Sequence, residues 1–112
     1  MSTAFAEEAV RIRDEGRLSD EDIARATGAK PSTARAWLAL TRSPTGSRAE
    51  RLAELSAIVD RLTRVMEPDY IPVWMMKPIP ALGDEKPIDV IARGDYRDVA
   101  RIISALESPP AT

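Results

Sequence analysis

Leu52, Leu55, Val59, Leu62 and Met66 recur at alternating spacings of three and four residues, and this recurrence limits the fold more than any other feature of the chain. Apolar groups at that period share one face of a helix nearly three heptads long, and the stripe must be covered. Ser47-Arg48-Ala49-Glu50 just ahead has the form of a capping box, so the helix is expected to begin there. It runs to about Met66, and Pro68 ends it. Two coverings suit the stripe. It packs on the rest of the chain, or it meets a second copy, which makes Leu52, Leu55, Val59, Leu62 and Met66 a homodimer contact.

The flanking segments also read as helices. Phe5, Ala9 and Ile12 fall on one face of a helix over residues 3–15, with Ser2 or Thr3 to cap it and Gly16 to stop it. Ser19-Asp20-Glu21-Asp22 is a capping box with Asp at its fourth position, opening a short helix through Ile23 and Ala26. After the turn Thr27-Gly28-Ala29, Pro31 suits the first turn of a third helix reaching about Ala39. Residues 41–47, with Pro44 and Gly46, form a linker. Beyond Pro68 the prolines at 72, 78, 80 and 87 cut the chain into short pieces: a helix over 69–77, an irregular loop over 79–85, and a helix from Pro87 to Gly94. Asp95 is expected to cap a last helix burying Val99, Ile102, Ile103 and Leu106. No strand period is evident, and aromatic residues are only 4% of the 112, so an aliphatic, all-α core is expected.

Charge is unevenly laid out. The net charge is −2, but residues 1–29 carry −3, residues 30–51 carry +4 and residues 52–112 carry −3. A basic stretch of this kind tracks DNA phosphates, or forms a solvated Arg-rich surface. Zero Cys and zero His exclude disulfides, thiolate chemistry, imidazole acid–base schemes and most zinc sites, so no cofactor or metal is expected. Asp84, Glu85, Asp89, Asp95 and Asp98 are carboxylates of the kind that hold Mg²⁺, yet they fall at helix starts and loops, where capping and solvation account for them. An enzyme is not expected. No apolar run approaches the ~20 residues of a membrane span, and no signal-peptide pattern opens the chain, so the expected setting is the cytoplasm.

Within the N-terminal part, Ile23-Ala24-Arg25-Ala26-Thr27-Gly28-Ala29 followed by Ala34 and Trp37 meets the demands of a helix-turn-helix. Ala24 lets the second helix cross closely over the first, Gly28 allows a left-handed turn, and Ile23, Ala34 and Trp37 fill the wedge. Lys30, Ser32, Thr33 and Arg35 then face outward, and with Arg42 and Arg48 they are the candidate DNA contacts. A plain helical hairpin with a Trp in its core meets the same pattern.

The second block is Trp74-Met75-Met76-Lys77-Pro78-Ile79-Pro80-Ala81-Leu82-Gly83-Asp84-Glu85-Lys86-Pro87, followed by Gly94 and Val99. Taken alone it is either a rigid, proline-framed recognition loop or a core aromatic among helix-stopping prolines. In order and spacing, Trp74, Met75, Pro78, Leu82, Gly83, Pro87, Gly94 and Val99 resemble the toxin-binding domain of Xre/MbcA/ParS-type antitoxins, partners of RES-domain toxins in bacterial type II toxin–antitoxin systems. Ile79 stands where that pattern has Asn, and Asp84 where it has a second Gly. The resemblance covers about residues 50–107, and the helix-turn-helix ahead of it is similar to the family's N-terminal half.

The resemblance implies a helix-turn-helix region over 1–46 joined to a dimerisation helix and toxin-binding domain over 47–112. It implies an antitoxin that covers the active site of a NAD-consuming RES toxin and represses its own operon. The toxin-binding residues so implied are Trp74, Pro78, Leu82, Gly83, Pro87 and Gly94, with Pro109, Pro110, Ala111 and Thr112 as a plug whose carboxylate meets the basic NAD-phosphate site. The partners so implied are the cognate toxin, a second copy within the toxin–antitoxin complex, and promoter DNA. The alternative is a free-standing transcription regulator whose C-terminal half only dimerises.

Overall fold

The computed structural model of the protein describes residues 4–108. Among the described residues seven α-helices follow one another: α1 (Ala4–Gly16), α2 (Asp20–Thr27), α3 (Pro31–Leu38), α4 (Gly46–Leu62), α5 (Ile71–Met75), α6 (Pro87–Ala92) and α7 (Tyr96–Glu107). Single 3₁₀ turns at Pro68–Tyr70 and Pro80–Leu82 precede α5 and α6. No strand occurs among the described residues; one antiparallel bridge joins Ile79 to Glu85. The expected all-α class is what the chain adopts.

Helix α4 is the axis of the fold. Leu52, Leu55, Val59 and Leu62 are fully buried and Met66 is half-buried, because α1, α2, α6 and α7 pack around the stripe. The homodimer contact expected of these five residues is therefore corrected: the apolar face that a second copy would need is covered within the chain. One apolar cluster runs from Ala9 on α1 to Ile103 on α7 and takes in residues from both ends of the molecule.

Local chemistry explains most of the boundaries. At α2 both halves of the expected capping box form, Asp22 N–H donating to Ser19 Oγ at 3.1 Å and Ser19 N–H to Asp22 Oδ2 at 3.2 Å. Gly28 ends the helix in the left-handed region at φ 75°. At α1 the stop differs from expectation. Gly16 stays helical, and the left-handed residue is Arg17 at φ 59°. Gly16 matters instead for approach: a Cβ there would lie 2.7 Å from Val59 Cγ1, so α1 crosses α4 at a distance only glycine permits.

Several other details differ. Helix α4 starts at Gly46 from Thr45, with no side-chain cap bond, so the Ser47–Glu50 box does not set its start. Asp95 precedes α7 without capping it, because its carboxylate accepts from Arg93 Nε at 2.7 Å. Phe5 and Leu106 are exposed; Ala6, one place further on than Phe5, takes the buried position on α1. The loop over 79–85 is ordered by its own backbone, as described below. Residues 2 and 3, expected as caps, lie outside the described residues.

Candidate binding surfaces

Helices α2 and α3 pack on each other across the turn at Gly28. Ile23, Ala24, Ala34 and Trp37 are all buried between α2 and α3. Thr27 donates from its buried hydroxyl to Ile23 O at 2.7 Å, leaving no unpaired polar group beneath the turn. The outward face is smaller than the sequence suggests. Lys30 and Ser32 are exposed on α3's first turn, but Thr33 is buried at 9% exposure and is corrected as a surface contact. Its position, one residue before Ala34, turns it toward the wedge.

Charge on this face is partly committed. Arg35 donates to Asp20 Oδ2 at 3.0 Å beside a cleft of about 430 Å³ lined also by Arg13, Ser19, Leu38 and Ala39. That guanidinium holds the Asp20 carboxyl below the usual carboxylate range. Lys30, Arg42 and Arg48 are exposed and make no ion pair among the described residues.

The second surface is a groove between the loop before α6 and the outer face of α7. It has a volume of about 620 Å³ and is lined by Ala81, Leu82, Arg93, Asp98, Arg101, Ile102 and Ala105. Its floor is apolar, from Leu82, Ile102 and Ala105; its rim is charged. Arg93 bridges Glu85 and Asp95, and the two carboxylates raise its pKa, so it stays charged while closing the loop onto α6. Arg101 pairs with Asp98 one turn away at 2.5 Å.

A set of backbone bonds shapes the loop itself. Ile79 N–H donates to Glu85 O at 3.1 Å, Leu82 N–H to Ile79 O at 2.9 Å, Gly83 N–H to Pro80 O at 3.0 Å and Asp84 N–H to Ile79 O at 3.0 Å. Two successive left-handed residues, Gly83 at φ 67° and Asp84 at φ 64°, turn the chain back. Asp tolerates this region better than most L-residues, which accounts for Asp84 at a position where a glycine is otherwise suited.

The residues singled out in the Trp–Pro block divide into two sets. Trp74, Leu82 and Pro87 are buried and frame the surface from beneath, Leu82 alone reaching the groove. Pro78 and Gly83 are exposed, and Gly94 is half-buried, where a Cβ would lie 3.0 Å from Arg51 Nη2. Pro109, Pro110, Ala111 and Thr112 lie outside the described residues. The sequence reading missed Ala81, Arg93, Arg101 and Ala105 as groove residues. Their signal is the spacing of Asp98, Arg101, Ile102 and Ala105, which places the four on one stripe of α7.

Two ion pairs fix these surfaces to the core. Arg25 on α2 holds Asp89 on α6 through both carboxylate oxygens, and this pairing keeps Asp89 below the usual carboxylate range. Arg61 on α4 donates to Glu107 Oε1 at 2.6 Å and Ser104 Oγ at 2.9 Å, clamping the last turn of α7 and lowering the Glu107 pKa. None of the described helices is long and apolar enough to cross a membrane, and no group of three potential metal ligands occurs among the described residues.

No family model matches the chain. Among curated proteins it is 32% identical over 89 residues to the mycobacterial cidal antitoxin MbcA of Mycobacterium bovis, covering 80% of this chain and 79% of that one. The MbcA protein of Mycobacterium tuberculosis gives the same figures. A chain of the crystal structure of the M. tuberculosis MbcT–MbcA toxin–antitoxin complex matches with a TM-score of 0.80 and 29% identity, over 90% of this chain and 91% of that one. An antitoxin relationship bears out the expectation that the chain is not an enzyme. At this identity and coverage, the chain belongs to the MbcA antitoxin family.

Proposed function

We propose that the protein binds and neutralises a RES-domain toxin that consumes NAD, and that it does so with the groove formed by the 79–85 loop and α7. The observation that carries this reading is the likeness to MbcA over 80% of the chain, together with the fold shared with a chain of the MbcT–MbcA complex. The groove suits the task physically. Its apolar floor of Leu82, Ile102 and Ala105 gives area to bury, and its backbone-bonded loop needs little ordering on contact.

The toxin's active site is covered in this reading by α7 and the residues after it, with Pro109, Pro110, Ala111 and Thr112 reaching into the NAD cleft. Trp74, Pro78, Leu82, Gly83, Pro87 and Gly94 serve by shaping the surface rather than as a contact patch. Residues 1–46 form the DNA-facing part and 47–112 the toxin-facing part of one packed molecule. Lys30, Ser32, Arg42 and Arg48 contact operator phosphates, so the complex represses its own operon in the cytoplasm, with Arg35 released from Asp20 to join them.

Co-expression tests the reading. Cells making a cognate RES-domain toxin are expected to stop growing, and co-expression of this protein is expected to restore growth; failure to restore it rejects the proposal.

A further inference from the structure

We infer that Arg93 is a positioning residue for toxin binding: its guanidinium, held by one carboxylate at the foot of each groove wall, fixes the 79–85 loop relative to α7. The inference rests on the proposed toxin-binding role of that groove. Ala81 and Leu82 line the groove from the loop, and Asp98, Arg101, Ile102 and Ala105 line it from α7. Arg93 also lines it and stands between them, at the end of α6. Its Nη1 donates to Glu85, at the end of the loop. Its Nε donates to Asp95 Oδ2 at 2.7 Å, in the turn that leads into α7.

The loop needs such a tie. The N–H groups of Ile79, Leu82, Gly83, Asp84 and Glu85 all donate to carbonyls within residues 79–85. These bonds shape the loop without joining it to α7. Inside it, the left-handed backbone of Asp84 carries a cost that favours opening. Asp95, by contrast, is anchored through its own N–H to Val90 O at 3.1 Å, so the guanidinium holds the loop to a fixed point. A wall held in place before contact loses less freedom on binding, which raises affinity without adding a contact.

Glu85 separates positioning from direct contact, because it is not among the residues that line the groove. Glu85→Gln frees Arg93 from the loop and leaves the groove lining unchanged; Arg93→Gln removes both ties. Hydrogen exchange of the whole free protein reads the loop, and titration calorimetry against a cognate RES-domain toxin reads binding. For Glu85→Gln the expected exchange at the Leu82, Gly83 and Asp84 amides is about two- to five-fold faster, the scale of one exposed ion pair, with α4 unchanged. Toxin binding is expected to weaken by about the same factor. Arg93→Gln should do at least as much, and the double variant no more than Arg93→Gln alone. Toxin binding by Glu85→Gln equal to the parent's, or tighter, overturns the inference, since a guanidinium acting by direct contact loses nothing on release. Unchanged loop exchange in Glu85→Gln overturns it as well. A parent protein that binds no toxin overturns the toxin-binding reading itself, and this inference with it.

Discussion

Arg25 and Asp89 lie 64 residues apart in sequence and meet through two hydrogen bonds, Nε to Oδ1 at 2.8 Å and Nη2 to Oδ2 at 2.9 Å. This fork joins α2 to α6, the helix that follows the groove loop. Both side chains are about two-fifths exposed, so solvent screening keeps the pair's contribution to roughly 0.5–1 kcal/mol. Arg25→Ala is expected to lower Tm by about 2–6 °C at pH 7. Because Asp89 is held below its usual pKa, the pair's contribution is full above about pH 4 and is lost as pH falls through the lowered value. Thermal melts of the parent and Asp89→Asn should therefore differ at pH 7 and converge as pH falls through the lowered Asp89 value.

A methyl group at residue 16 has no room. Gly16→Ala is expected to cost about 1–3 kcal/mol, since the added Cβ would lie 2.7 Å from Val59 Cγ1 between packed helices. Val59→Ala alone also destabilises by opening a cavity. The double variant should be more stable than the two single losses added together predict, and a denaturant-melt double-mutant cycle measures that coupling.

On the DNA side, the free cations should matter more than the paired one. Arg42→Ala with Arg48→Ala is expected to lower promoter affinity and to reduce the slope of log K against log salt by about 1.8, near 0.9 for each phosphate no longer neutralised. Arg35→Ala should have a smaller effect, because Asp20 already holds that guanidinium at 3.0 Å. Fluorescence anisotropy at several salt concentrations separates the two.

Much of this fold was legible in the sequence because short-range chemistry governs it. The Ser19–Asp22 box, the left-handed Gly28 and the buried Ile23, Ala34 and Trp37 follow from residue type and spacing alone. What periodicity does not reveal is the identity of the opposing face. The stripe Leu52–Leu55–Val59–Leu62 demanded cover, and only the tertiary arrangement of α1, α2, α6 and α7 shows that the chain supplies it. Competition hid other features. Asp95 reads as a cap, but Arg93, two residues away, takes its carboxylate. The groove was hidden because it joins a loop to the exposed stripe of a helix sixteen and more residues on, a pairing no local pattern encodes.

The last turn of α7 gives a prediction about positioning. Arg61 holds Glu107 and Ser104, so Arg61→Ala is expected to leave the core folded while weakening toxin binding less than a change in the groove itself. Circular dichroism checks the first half and calorimetry the second. Deleting residues 109–112 should weaken toxin inhibition and leave DNA binding unchanged in the anisotropy assay.

In the proposed function, the groove between the 79–85 loop and α7 is the surface that silences the toxin. Ala105 is exposed, helical and lines the groove, so Ala105→Glu changes that surface without disturbing the core. The direct measurement is NAD consumption by the partner toxin, titrated with the parent and with Ala105→Glu. The parent is expected to abolish NAD loss at stoichiometric addition, while the folded variant needs at least about ten-fold more, the loss expected from a charge buried unpaired at an interface. Equal inhibition by the two proteins would contradict it.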